Sequence, residues 1–228
     1  MSLKLDEVIP WGRCLDEYIG MFSLTPSDLK LEILDCAGGT ASFNAEMTRQ
    51  GKNVISCDRV YQFTAEQINA RLLDSDTFIE NFEVNLGSYR WKIFTSPSQL
   101  AEVRWNATQE FLEDFPSGLQ QGRYLNAELP DLPFENGQFD LALCSHFLFA
   151  YSHLLEEFHL EAITQMCRVA KEVRVFPLLQ SCGMESEHLD PIVTKLRNRS
   201  FHVEIKEVDY EFQKGGNKML RVSQESSA

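Results

Sequence analysis

The sequence predicts an α/β fold in which a mostly parallel, seven-stranded sheet ends in an antiparallel β-hairpin. Short apolar runs alternate with helical patterns along the 228 residues, as they do in α/β proteins. A glycine-containing turn joins the first apolar run to a helical pattern, and an acidic residue ends the second run. Near the carboxyl terminus, two alternating segments flank Lys214-Gly215-Gly216-Asn217, which is typical of a hairpin turn.

The first strand, its helix and the second strand form a Rossmann-like unit with the pattern of a nucleoside site. The first strand is expected at about 31–36, the helix at about 42–50 and the second strand at about 53–58. Asp58 follows Gly38 by 20 positions (58 − 38). At that spacing an acidic side chain accepts hydrogen bonds from ribose hydroxyls, while small residues let the backbone approach the ligand. The sequence therefore predicts that this turn holds a nucleoside.

Helical patterns precede this unit and follow it. Residues 1–30 are expected to form an N-terminal helical cap, in which Thr25-Pro26 is typical of a helix start. The segment 59–122 is too long for a simple crossover, so we expect a mainly helical insertion with helices at about 64–74 and 97–114. The apolar positions of the first cap helix recur at helical spacing and are Trp11, Leu15, Tyr18, Ile19 and Phe22.

The remaining elements complete the sheet and its helical layers. Strands are expected at 124–127, 139–144 and 173–176, helices at about 153–170 and 187–198, and the two hairpin segments at 201–212 and 217–222. No repeat or linker divides the chain, so residues 1–228 are expected to form a single domain.

Composition limits the partners of the protein. The 21 basic and 34 acidic residues give a formal net charge of −13, and nucleic-acid binding depends on phosphate neutralisation by Lys and Arg. We therefore expect no nucleic-acid partner. No apolar run approaches the roughly 18–20 residues that cross a bilayer, and charged residues occupy the N-terminus where a signal peptide is apolar. We therefore expect no membrane partner and no secretion.

The six cysteines are scattered and form no C-x-x-C pair. This usage is typical of a reducing, cytoplasmic environment rather than of a disulfide framework or a zinc site. The His and Asp residues form no evident cluster either, so no metal site is expected.

These blocks together resemble the class I S-adenosylmethionine-dependent methyltransferases over most of residues 31–224. In that family the turn after the first strand usually reads D/E-x-G-x-G-x-G. The run here begins at Asp35 and continues Cys-Ala-Gly-Gly-Thr-Ala, so Ala37 and Ala41 replace two glycines. Because alanine disfavours positive φ, we expect a somewhat altered turn.

The resemblance implies S-adenosylmethionine as the cofactor and gives roles to residues of the first two strands. Asp35 would order the turn or bind the methionine amino group, directly or through water. Ala37, Gly38 and Gly39 would pass beneath the cofactor, and Asp58 would hold the ribose.

The same resemblance extends to the third and fourth strands. Asn126 and Ala127 would lie near the adenine, where the Asn amide oxygen can accept from the adenine amino group. A Leu-Pro-Phe run at 132–134 and Phe139-Asp140 then approach the fourth strand as in the family. Ser145 would line the methyl-transfer end of the cofactor site.

His146 is the candidate general base, because it follows the fourth strand at the edge where open α/β sheets bind ligands. A base is needed only if the methyl acceptor must lose a proton. A histidine hydrogen-bonded at the edge of the core is the structural alternative. Tyr151 and His153 are nearby candidates that also suit capping or packing, and Arg13 suits either a carboxylate substrate or a surface ion pair.

Three further segments are similar to a bacterial subgroup of this fold that has no assigned reaction. They are residues 10–13 (Pro-Trp-Gly-Arg), 41–46 (Ala-Ser-Phe-Asn-Ala-Glu) and 210–217 (Tyr-Glu-Phe-Gln-Lys-Gly-Gly-Asn). This likeness bears on the fold and leaves the substrate open.

The resulting hypothesis is an S-adenosylmethionine-dependent methyltransferase that acts on a small-molecule acceptor by in-line methyl transfer. The Asn/Asp-Pro-Pro-Tyr and Pro-Cys runs of nucleic-acid methyltransferases are absent from the sequence. One alternative is a non-catalytic binding or scaffold protein of the same fold. Another is an NAD-dependent oxidoreductase, since a glycine turn plus an acid serves both cofactors. The helical insertion offers a surface for a homodimer.

Overall fold

The computed structural model describes residues 12–73, 86–151 and 153–224. Trp11, part of the predicted cap helix, and residues 74–85 of the predicted insertion lie outside the described residues.

A seven-stranded sheet runs through the described part of the chain in the order β3-β2-β1-β4-β5-β7-β6. Strands β1 to β5 are parallel to one another, and β7 is antiparallel to both β5 and β6. The predicted mostly parallel sheet with its antiparallel hairpin is therefore confirmed. The strands are β1 Ile33–Cys36, β2 Val54–Cys57, β3 Tyr124–Leu125, β4 Phe139–Ser145, β5 Ala170–Phe176, β6 Phe201–Glu207 and β7 Lys218–Gln224.

Helices cover both faces of the sheet. They are α1 Leu15–Phe22, α2 Phe43–Arg49, α3 Ala65–Leu73, α4 Pro97–Gln120, α5 Glu156–Val169 and α6 Leu189–Asn198. On one face of the sheet, α5 and α6 pack against the strands in one apolar cluster. On the opposite face, α1 and α2 pack against the strands in a second apolar cluster. Because both faces are covered, all four residues of β1 are buried, as expected for a central parallel strand.

The described residues between β2 and β3 are mainly helical, with α3 and α4 as the long elements and a non-helical segment at 89–96. Helix α4 begins at Pro97 behind the N-cap Ser96, whose Oγ accepts from the backbone N of Gln99 at 3.1 Å. The helix was predicted to end near 114 but continues through Pro116 to Gln120. The longer helix keeps Phe115 fully buried, with its ring 5.4 Å from that of Tyr124 on β3.

Other boundaries also differ from the sequence-based expectation. Strand β3 ends at Leu125, two residues earlier than predicted, and β5 begins at Ala170, directly after α5. Strand β6 ends at Glu207, whereas the prediction extended it to Phe212. The reason is aromatic packing: Phe212 leaves the sheet and stacks on Tyr89 with ring centroids 4.8 Å apart.

The predicted helix start at Thr25 is wrong. Thr25 and Asp28 cap each other reciprocally, since Thr25 N donates to Asp28 Oδ2 at 2.9 Å and Asp28 N to Thr25 Oγ1 at 3.1 Å. Only a 3-10 turn, Asp28–Lys30, follows, because β1 begins at Ile33 and leaves no room for a longer helix.

Among the described residues, no helix is both long enough and apolar enough to cross a membrane. The thiols of all six cysteines are free. Cys36 is paired in register with Cys57 and with Cys144 on the neighbouring strands.

Candidate functional site

The turn after β1 contains two residues with positive φ. Ala37 has φ 55° and Gly39 has φ 55°. Gly38 lies between them, and its N donates to the carbonyl of Cys57 at 3.3 Å. A Cβ at position 38 would collide with the Asp35 carboxylate and lie 2.9 Å from Tyr61 Oη. The turn is thus altered at Ala37, which adopts the left-handed backbone conformation. Its neighbour Gly38 has no room for a side chain.

Replacing Ala37 by glycine should stabilise the protein. Left-handed backbone costs a non-glycine residue about 1–2 kcal/mol, and the greater flexibility of unfolded glycine offsets part of that gain. We therefore expect Ala37→Gly to raise the free energy of unfolding by about 0.5–1 kcal/mol in urea denaturation. The matched control is Ala41→Gly, because Ala41 is not among the described residues with positive φ. It should lower the free energy of unfolding, and an equal gain in both variants would contradict the strain at Ala37.

Asp35 is buried beneath this turn, with both carboxylate oxygens engaged. Its Oδ1 accepts from Tyr18 Oη at 3.1 Å and its Oδ2 from Ser56 Oγ at 3.0 Å. Burial raises the pKa of Asp35 to about 7, and the negative charge of Asp58 contributes to the increase. These two hydrogen bonds connect β1 to α1 and to β2 beneath the turn, and the role of Asp35 in cofactor binding stays a prediction.

The raised pKa of Asp35 predicts a pH dependence of stability. Between about pH 4 and pH 7 the folded protein holds a proton on Asp35 that the unfolded chain has released. Raising the pH through that window therefore favours unfolding, by about 4 kcal/mol at most. We expect Asp35→Asn to remove this decrease. Urea denaturation at several pH values checks it, and identical pH profiles for the two proteins would contradict the assignment.

Asp58 follows β2 and contacts the same turn. Its Oδ2 accepts from Gly39 N at 3.0 Å, and its Oδ1 accepts from Val60 N at 2.8 Å at the start of a 3-10 turn, Arg59–Gln62. Burial raises the pKa of the Asp58 carboxyl, although both backbone hydrogen bonds oppose the increase. The predicted nucleoside pattern, an acid beside a glycine turn, is thus one hydrogen-bonded unit.

Asn126 and Ala127 lie just beyond β3, at the same edge of the sheet. Asn126 is exposed, and Ala127 is half-buried with its N donating to the carbonyl of Leu125 at 2.9 Å. The carbonyl of Leu125 also accepts from Asp58 N at 3.2 Å. This bond places the predicted adenine-contacting residues beside the predicted ribose-binding residue.

Ser145 and His146 end β4 at the carboxyl edge of the sheet. Ser145 Oγ lies 2.9 Å from His146 Nδ1 and donates to the sulfur of Met21 on α1 at 3.9 Å. His146 has φ 54°, and its N donates to the carbonyl of Phe176 at 2.6 Å. Burial lowers the pKa of His146 well below its ordinary value, and the charges of Arg13 and Arg104 lower it further. The imidazole is therefore neutral at pH 7.

A buried polar network that sequence reasoning missed lies next to this edge. Glu17 on α1 pairs with Arg104 on α4 and accepts from Tyr210 Oη at 2.7 Å. The side chains of Glu17 and Arg104 are only 4% and 2% exposed. The sequence does contain a signal for Arg104, because it lies four residues after Leu100 on the apolar face of α4. For Glu17 the helical pattern gives no such signal.

An aromatic chain connects this network to His146. The ring of Tyr210 is 5.8 Å from that of Phe176, which is 5.5 Å from the imidazole. Tyr151 lies further along the chain, with its ring 6.0 Å from that of Phe147 and 5.8 Å from that of His153. Burial raises the pKa of Tyr151, and the charges of Arg13 and Asp58 act on it in opposite directions.

The structure thus groups the predicted site residues at the carboxyl ends of β1 to β4. Asp35, Gly38, Gly39 and Asp58 form one contact group with Ala37 in their turn, and Ser145 with His146 forms a second. Among the described residues, no set of three or more His, Cys, Asp or Glu side chains could hold a metal ion.

Comparisons with known proteins place this chain beside one relative of similar length. It is 33% identical over 221 residues to the uncharacterized protein MJ0045 of Methanocaldococcus jannaschii, covering 96% of this chain and 97% of that one. That relative is archaeal, so the bacterial restriction expected from the sequence is not supported. No family model matches the chain.

Solved structures show the fold. An O-methyltransferase family protein from Burkholderia thailandensis superimposes with a TM-score of 0.50 at 13% identity. The match covers 94% of this chain and 56% of that one. Magnesium protoporphyrin IX methyltransferase from Synechocystis PCC 6803, solved with bound S-adenosylmethionine, gives a TM-score of 0.48 at 13% identity over 92% of this chain and 77% of that one.

Proposed function

Since the chain belongs to the family of the Methanocaldococcus jannaschii protein and has the fold of class I S-adenosylmethionine-dependent methyltransferases, we propose that it is such a methyltransferase, acting on a small-molecule acceptor. The observation that carries the proposal is the contact between the glycine turn and the acid, Gly39 N to Asp58 Oδ2 at 3.0 Å. It lies at the carboxyl edge of a parallel sheet, where open α/β sheets bind nucleosides.

The residues around this contact fit the cofactor. An ionised carboxylate has about four acceptor positions, so Asp58 can accept from ribose hydroxyls while keeping a backbone donor. Gly38 lets the turn pack closely on Asp35 and Tyr61, and the cofactor would lie over Gly38 and Gly39. Asn126 and Ala127 adjoin Asp58 on the side where the adenine would lie. Asp35 holds the turn from beneath.

The chemistry follows from the position of the second group, Ser145 and His146. The bound cofactor would supply an electrophilic methyl group. We assign the proton of the neutral imidazole to Nδ1, from which it would be donated to Ser145 Oγ at 2.9 Å. That tautomer leaves His146 Nε2 unprotonated, and the lowered pKa keeps it so at pH 7. Nε2 would accept the proton that an acceptor hydroxyl or amine loses on methylation.

The strand order argues against the oxidoreductase alternative. Dinucleotide-binding sheets have the order 3-2-1-4-5-6, whereas here the antiparallel β7 lies between β5 and β6. The strand order does not distinguish an enzyme from a non-catalytic protein of the same fold, whereas an activity assay does.

Two features support a small-molecule acceptor and a cytoplasmic location. A net charge of −13 disfavours a polyanionic acceptor, which supports a small molecule. Six free thiols suit a reducing compartment, which supports a cytoplasmic location.

Calorimetric titration with S-adenosylmethionine, S-adenosylhomocysteine and NAD tests the cofactor. We expect micromolar binding of the first two and none of NAD. An acceptor screen that detects S-adenosylhomocysteine release then separates enzyme from scaffold. Binding without turnover over a broad panel would favour the scaffold, and absence of binding would refute the methyltransferase proposal.

His146→Ala should affect chemistry and leave cofactor binding intact. With an acceptor from that screen whose methylated atom carries a proton, we expect a rate loss of about 100-fold, the lower end for a general base. The matched control is the exposed His202 on β6, whose replacement by alanine should leave the rate unchanged. A His146→Ala enzyme as fast as wild type would remove the base assignment.

A further inference from the structure

Two imidazole rings lie against each other where α5 and α6 begin. His159 is a fully buried residue near the start of α5, and the half-buried His188 is the N-cap residue of α6. Their ring centroids are 4.9 Å apart, at an interplanar angle of 43°. The uncharged rings of Phe149 and Phe158 lie 5.3 Å and 6.3 Å from that of His159. The histidine pair is therefore part of the packing between the two helices.

The contacts of His159 show where a second proton would be placed. Its Nδ1 lies 2.9 Å from the carbonyl oxygen of Leu155, and a carbonyl oxygen can only accept, so we assign the proton of the neutral ring to Nδ1. A second proton would go to Nε2, which is buried with no hydrogen-bond partner within the part of the chain that the structure describes. The same holds for the Nε2 of His188. Protonation of His159 would thus bury a charged donor without an acceptor, which is costly.

The groups that act on His159 come from both helices. Burial is the largest influence and lowers the pKa of His159, and the charge of His188 lowers it as well. The carbonyl of Leu155 and the charge of Glu156 act in the opposite direction. Glu156 is itself paired with Lys195 on α6. Because the pKa of His159 is lowered from its ordinary value, its ring is neutral at pH 7.

The histidine pair adjoins the two segments that follow β4 and β5. The post-β4 segment begins at His146 and ends where α5 starts, and the post-β5 segment extends from Pro177 to His188. A hydrogen bond joins these segments directly, since Ser181 N donates to the carbonyl of Ala150 at 3.0 Å. Contact between His159 and His188 therefore connects the far ends of two segments that also meet at their middle.

We propose that His159 and His188 form an acid-sensitive switch, which holds the post-β4 and post-β5 segments together at neutral pH and releases them in acid. In the released state His159 is hydrated and takes up a proton at its ordinary value of about 6.5. The packed state binds fewer protons than the released state, so a decrease in pH below about 6.5 favours release. This inference does not depend on the proposed function.

Amide hydrogen exchange at pH 7 and pH 5, corrected for the intrinsic pH dependence of exchange, tests the switch. Ser181 N reports on the contact between the segments. Ile192 N, which donates to the carbonyl of His188 at 3.1 Å, reports on the start of α6. In wild type we expect the protection of both amides to fall by about 10-fold at pH 5, because each pKa unit of difference corresponds to a factor of ten.

His159→Asn should remove this decrease. The Asn amide keeps a donor for the Leu155 carbonyl and does not titrate. The matched control is His202→Asn at an exposed position on β6, which should lose protection as wild type does. Asp35 is present in all three proteins, so its own pH dependence cancels in the comparison.

NMR titration of the assigned His159 ring in wild type gives a second test that needs no variant. We expect its midpoint below the ordinary value of about 6.5. The switch is overturned if the midpoint is at or above that value, if wild type keeps its protection at pH 5, or if His159→Asn loses as much protection as wild type. These outcomes are independent of S-adenosylmethionine binding, which tests the proposed function separately.

Discussion

Replacing Asp58 by alanine is expected to weaken S-adenosylmethionine binding by about 100-fold, since hydrogen bonds to a charged group contribute about 1.5–3 kcal/mol each. The substitution removes the acceptor for the ribose hydroxyls. It also removes the hydrogen bond from Gly39 N that sets the turn against β2. Calorimetric titration of the variant gives the loss directly.

The matched control for that measurement is Asp140→Ala. Asp140 also lies on a central strand, but near the start of β4, at the opposite edge of the sheet, where it pairs with Lys171 at 2.7 Å. Its loss should leave the affinity unchanged. Equal affinities for wild type and Asp58→Ala would exclude Asp58 as the ribose acceptor.

Replacing Arg104 by methionine is expected to destabilise the fold by about 3–5 kcal/mol, because it leaves the buried Glu17 carboxylate without its charged partner. The neutral donors Tyr210 Oη, at 2.7 Å, and Cys14 N, at 3.4 Å, then remain on Glu17. Urea denaturation of wild type and variant measures the difference in the free energy of unfolding.

The exposed ion pair between Lys171 and Asp140 provides the control for the buried pair. Lys171, with a side chain 71% exposed, pairs with Asp140, and Lys171→Met should change the free energy of unfolding by only about 0–1 kcal/mol. If Arg104→Met cost no more than Lys171→Met, the network would not be a structural support of the cap and α4.

The parts of the fold that the sequence predicted correctly depend on short-range patterns. The strand, turn, helix and strand around Gly38, and the acid at Asp58, are fixed by alternation, small residues and spacing. The structure shows the turn and the acid in hydrogen-bonding contact, while their role in cofactor binding stays a prediction.

The parts that were wrong or missed depend on tertiary contacts. Phe212 leaves β6 because it stacks on Tyr89, which is far away in sequence. Glu17 and Arg104 are 87 positions apart, and no local pattern connects them. The hydrogen bond from Tyr18 to Asp35 could not be predicted, because a tyrosine on the apolar face of a helix is also an ordinary core residue.

The structure of the protein with bound S-adenosylhomocysteine would test whether the cofactor binds at the glycine turn and Asp58. We expect the ribose hydroxyls within hydrogen-bonding distance of the Asp58 carboxylate, the adenosine over Gly38 and Gly39, and the sulfur facing His146. A nucleoside bound at another edge of the sheet, with Asp58 making no contact to it, would refute Asp58 as the ribose acceptor and the glycine turn as the cofactor site.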